Sequence, residues 1–146
     1  MKRCAICGES LKKVVEPRIG YYRDEKVQVS SEFLRCVSCG ESYFNPEQMK
    51  QHNCAVKNEI RKKYGLLSAQ KIAEIRKKLK LTQEELEELL GTGPKVVVRW
   101  ESGKVIQPTG HDSLLRLLDR EPGMVDQLRK IQASRSREQK KYRVAV

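Results

Sequence analysis

Residues 81–103 read LTQEELEELLGTGPKVVVRWESG, and the fold of the C-terminal half turns on how this stretch is parsed. Thr82 and Glu85 stand at capping-box spacing: the hydroxyl satisfies a free backbone N–H at a helix start while the carboxylate reaches back. Leu86, Leu89 and Leu90 fall on one helical face, and Gly91 ends the helix. After the tight turn Gly91-Thr92-Gly93, Pro94 suits a first helical position, so a second helix is predicted from Pro94 through Ser102, closed by Gly103. Helix, glycine turn and a compact second helix carrying Lys95 and Arg99 make the helix-turn-helix pattern, whose second helix enters a DNA major groove. Counted from Pro94, positions 95, 96 and 99 share a face, which makes Lys95, Val96 and Arg99 the expected base readers. Arg pairs bidentately with guanine O6 and N7, and Lys donates to the same acceptors. Thr82, Thr92, Ser102 and Lys104, at helix ends, are expected phosphate contacts. Val97, Val98 and Trp100 are expected in the core, and Pro94 organises the turn without reading a base.

Helical signals continue on both sides. Ser68 is a predicted N-cap for a helix over about 69–80, with Ile72, Ile75 and Leu79 on one face. Pro108-Thr109 leads into another helix with Leu114, Leu115, Leu117 and Leu118. Pro122 starts a fifth, containing Val125, Leu128 and Ile131. His111 falls in a first helical turn with no partner for catalysis. Upstream, Asn45 caps and Pro46 opens a long, charged helix over 46–64, within a linker drawn as 46–67. From Ser134 the chain is almost wholly polar and basic, and 134–146 is expected as a flexible tail.

The first 45 residues read differently. Leu11–Glu16, Lys26–Ser30, Phe33–Cys36 and Ser42–Phe44 are predicted short strands, separated by Pro17, Gly20, Asp24 and Gly40. All five cysteines lie in the first 54 residues, four of them as Cys4-x2-Cys7 and Cys36-x2-Cys39. Two such knuckles offer four soft ligands for a tetrahedral ion, and Gly8 and Gly40 suit the tight turns after each pair. One structural Zn2+ per chain, held by Cys4, Cys7, Cys36 and Cys39, is the expected cofactor; iron fits the same four-sulfur cage chemically. Such an ion would replace the core that so small and charged a segment cannot build. His52 and Cys54, two apart on a helix, face opposite ways and cannot chelate one ion together.

Composition agrees with two regions of different chemistry. The 146 residues carry 30 Lys plus Arg against 19 Asp plus Glu, a formal net charge of +11. Residues 1–57 hold 10 basic and 7 acidic side chains, so most of the excess lies C-terminal. A cationic surface of this kind favours an anionic partner, above all nucleic acid. The apolar runs are short and the first twenty residues charged, from which we expect a soluble cytoplasmic protein with no membrane span and no secretory signal. No Ser/His/Asp set or phosphate-cradling glycine loop points to an enzyme. The fold class expected is α+β: a small zinc-bound β-rich domain (1–45), a linker helix (46–67), an all-α five-helix domain (68–133) and the tail.

The residues quoted carry a family resemblance. Ile75-Arg76, Leu81 to Leu86, Leu89-Leu90-Gly91, Arg99 to Lys104 and Pro108 resemble the lambda-repressor/Cro (XRE) family of helix-turn-helix domains. The resemblance implies base-reading roles for Lys95, Val96 and Arg99, a phosphate or base contact for Gln83, and an internal ion pair between Arg76 and Glu101. Joined to the double knuckle, over residues 1–131, it is similar to the MqsA (YgiT-type) zinc-finger antitoxins. That likeness implies a homodimeric repressor of its own operon that binds a palindromic double-stranded operator. It also implies a protein toxin, an mRNA-cleaving ribonuclease, neutralised by the N-terminal domain. The alternative is a stand-alone XRE-family regulator whose zinc domain senses metal, redox state or another protein. Lys95 stands where the family commonly has a polar amide.

Overall fold

The computed structural model describes residues 3–135. The basic tail expected over 134–146 therefore lies, from residue 136, outside the described residues. The chain is α+β and divides after Ile60 into two compact units.

The N-terminal unit is built on an antiparallel hairpin, β1 (Leu11–Tyr22) and β2 (Glu25–Cys36), with a short third strand β3 (Ser42–Tyr43), in the order β1-β2-β3. The four short strands expected here are thus corrected: the first three merge into two long ones, in unbroken register from Leu11↔Cys36 to Tyr22↔Glu25. Pro17 and Gly20 do not break β1, for separate reasons. The two-residue turn Arg23-Asp24 makes Tyr22 and Glu25 the hydrogen-bonded closing pair, so by alternation the odd residues of β1 turn their backbone groups to the edge that is free among the described residues. Pro17 is one of them, and its missing N–H costs the ladder nothing. Gly20 sits against the helix α1 (Pro46–Lys63): a Cβ there would lie 2.1 Å from Val56 Cγ2. Val29, Ser31 and Phe33 are buried on the same face. Asn45 and Gln48 close α1 at its start by reciprocal side-chain bonds of 2.8 and 3.1 Å, as the Asn-Pro signal suggested.

The C-terminal unit holds five helices, α2 (Ala69–Lys78), α3 (Gln83–Leu90), α4 (Val96–Glu101), α5 (Thr109–Arg120) and α6 (Met124–Ser134). The Ser68 cap and the Thr82/Glu85 capping box are both present, and Gly91 ends α3 in the left-handed region at φ 68. Ile72, Ile75, Leu86, Val97, Trp100, Leu115 and Leu118 form the centre of its core. The start of α4 differs from the expectation: it lies at Val96 and not at Pro94. Lys95 takes a left-handed φ of 63 and offers no side-chain cap; the Glu87 carboxylate, itself buried, accepts the Val97 N–H at 3.1 Å in its place. A polar cluster is also enclosed. Gln107 donates to Leu67 O and Asp112 Oδ1, Asp112 accepts the Leu67 N–H at 2.8 Å, and Arg61 donates to Val105 O at 2.8 Å. Among the described residues no helix is long and apolar enough to cross a membrane.

Candidate metal centre and recognition helix

Cys4, Cys7, Cys36 and Cys39 converge, their four sulfurs within 4.8 Å of one another. Cys4 lies 3.5 Å from Cys39 and Cys7 3.4 Å from Cys36. A tetrahedral ion with sulfurs at 2.3 Å needs sulfur separations of about 3.8 Å, so the four thiols fit a metal ion and suit zinc. The hairpin register creates this convergence. It sets Cys36 opposite Leu11, so the second knuckle leaves β2 beside the start of β1, where the first knuckle ends. Cys4 and Cys36 are buried, Cys7 and Cys39 exposed.

Fixed donors surround the sheltered sulfurs. The Tyr43 hydroxyl stands 3.2 Å from Cys4 Sγ, and the Ile6 N–H donates to the same sulfur at 3.4 Å. The Tyr43 bond, against an opposing effect of burial, holds the Cys4 thiol down to about 6. Backbone N–H donation at Cys39 likewise lowers Cys36. Stabilised thiolates are the form a metal requires. Tyr43 escaped the sequence reading, although β3 was anticipated there; its strand alternation was the signal that could have found it. Cys54 stands apart from the cluster, and Ser31 and His52 share a 2.7 Å hydrogen bond between the sheet and α1.

In the second unit the expected reading residues separate into two groups. Lys95 is exposed, and one turn on Arg99 is half-buried, its Nε donating to Lys95 O at 3.1 Å. Lys95 lines a groove of about 600 Å³ with Thr82, Gln83, Pro94 and Val98. Ser102 and Lys104 are exposed beyond the end of α4. Val96, by contrast, is fully buried and cannot meet a base edge, and Thr92 is fully buried with its hydroxyl donating to Glu87 O at 3.4 Å. Both expectations are corrected. Val96 belongs with Val97 and Trp100 on the core side of α4, and Thr92 packs inside the turn.

Gln83 is half-buried and donates to Glu101 Oε2 at 2.8 Å. The same carboxylate receives Arg76, whose Nε and Nη2 donate at 2.6 and 3.1 Å; Glu101 holds the guanidinium above its ordinary range. The ion pair implied by the resemblance is present and orients Gln83. The groove has an acidic side as well, with Glu84, Glu85, Glu87 and Glu88 along it.

Two comparisons bear on this arrangement. The family described as the antitoxin component of a bacterial toxin-antitoxin system, MqsA, matches residues 1–129. Antitoxin MqsA of Escherichia coli (strain K12) is 29% identical over 136 residues, spanning 87% of this chain and 99% of that protein.

Proposed function

The chain belongs to the MqsA family of antitoxins, and from that premise we propose that it is a zinc-stabilised homodimeric repressor that also neutralises a protein toxin through its N-terminal unit. Cys4, Cys7, Cys36 and Cys39 would hold one Zn2+, which when bound supplies a cross-link between the two knuckles. The toxin partner follows from the family. The observation that carries the DNA half is the outward placement of Lys95 and Arg99 on the turn and helix that Val96, Val97 and Trp100 anchor in the core. Thr82 and Gln83, on the groove that Lys95 lines, would contact phosphates, as would Ser102 and Lys104 at the other end of α4. Leu117 on α5 and Ile131 on α6 leave apolar surface exposed, which supports a second copy of the chain as a partner. A two-fold dimer would set its recognition helices about 34 Å apart on a palindromic site.

The test uses duplexes drawn from upstream of the protein's own reading frame, compared with random DNA over a range of salt. Arg99→Ala should cost on the order of 1–3 kcal/mol of operator binding and relax discrimination at one base pair. If the variant distinguished operator from random DNA as the parent does, Arg99 would not be a reader. In the same preparations the full chain should retain the product of the adjoining reading frame.

A further inference from the structure

The two knuckles are near copies of each other. In each, the first cysteine's N–H donates to the carbonyl of a following glutamate, Cys4 to Glu9 and Cys36 to Glu41, both at 2.8 Å. In each, the glycine after the second cysteine lies at φ 75 or 76 and donates back to the first cysteine's carbonyl. Each also shelters its first sulfur and exposes its second. One side chain breaks the likeness. The seventh residue after Cys4 is Leu11, whose side chain has no donor, whereas the seventh after Cys36 is Tyr43, whose hydroxyl reaches across to Cys4 Sγ at 3.2 Å. Pairing of Tyr43 with Leu34 on β2 fixes where that hydroxyl stands.

A ligated thiolate has no proton, so against a metal-bound Cys4 the tyrosine is the donor. Four thiolates around a divalent ion make a centre with excess negative charge. A hydrogen bond to one of them relieves part of that charge and fixes the sulfur's direction. We propose that Tyr43 is a positioning residue of the metal centre: its hydroxyl holds the Cys4 thiolate in place, so that Cys4 is the last of the four sulfurs to let the ion go. Burial alone would rank Cys4 and Cys36 together; the hydroxyl separates them.

The inference rests on the metal reading above, and full-length zinc-loaded protein tests both. Transfer of zinc to a chromophoric chelator should be on the order of 10-fold faster for Tyr43→Phe, which keeps the ring and loses only the donor. With cobalt in place of zinc, the sulfur-to-metal charge-transfer band should shift in the variant, a change that ring packing alone would not produce. In the unmodified protein, N-ethylmaleimide added during metal removal should label Cys7 and Cys39 first, Cys36 next and Cys4 last, as read by mass spectrometry. Equal transfer rates with an unmoved cobalt band would overturn the role of Tyr43, as would labelling of Cys4 before Cys36. If the parent bound neither zinc nor cobalt stoichiometrically, the metal reading itself would fall, and this inference with it.

Discussion

Glu87 brings a carboxylate into the interior of the helical unit and spends it on the N–H of Val97, the second residue of a six-residue helix. Helices of that length do not persist on their own, and Lys95 supplies no cap. Replacing Glu87 with Ala leaves a buried donor unmet and should cost about 1–3 kcal/mol in thermal or urea unfolding, with operator binding weakened more than random-DNA binding. Glu87→Gln retains an acceptor and should recover most of both. Nothing in the sequence marked Glu87, because it is one of four glutamates in α3, and only its place on the inward face distinguishes it. Val96 failed for a related reason. Three consecutive valines carry no polar residue to set the phase of a short helix, and Lys95, just outside it, cannot set that phase either. The four-cysteine cluster was legible because chelation imposes a fixed spacing; for Tyr43 strand alternation offered only a face, since its partner is remote in sequence and the bond depends on strand register.

Among the elements, α3 carries its charge where a nucleic acid would not welcome it. Glu84 and Glu88 are exposed on the groove that also holds Lys95 and Gln83. In the proposed DNA complex, phosphates approaching Lys95 at random would be repelled there, which would favour a duplex held in one register over one held anywhere. Changing both residues to Gln should tighten binding to arbitrary duplex by about two- to fivefold and narrow the ratio of operator to random affinity, measured by titration at fixed salt. At this scale the sequence was a good guide to helices, since caps and prolines act locally. It misled over the hairpin, where Pro17 and Gly20 read as breaks. Their tolerance depends on two tertiary facts, a free edge beside Pro17 and a helix pressed on Gly20, that no local rule contains.

In the molecule as a whole each of the two units is stabilised internally by different physics. Among the described residues the helical unit encloses thirteen apolar side chains; the hairpin unit buries six, two of them the cysteines Cys4 and Cys36. Removing the proposed metal should therefore unfold the first unit and spare the second. The single tryptophan, Trp100, lies in the core of the helical unit and reports on it alone. A chelator should abolish the strand signal in circular dichroism while Trp100 emission stays put; loss of both together would show that one unit cannot stand without the other. The free edge of β1 has a consequence of its own. Val15, Ile19 and Tyr21 are exposed along it, a pattern that invites strands of other copies to stack and grow into fibres. Pro17, midway between Val15 and Ile19, gives an incoming strand no donor at the centre of the template, which disfavours pairing of a second copy along that edge.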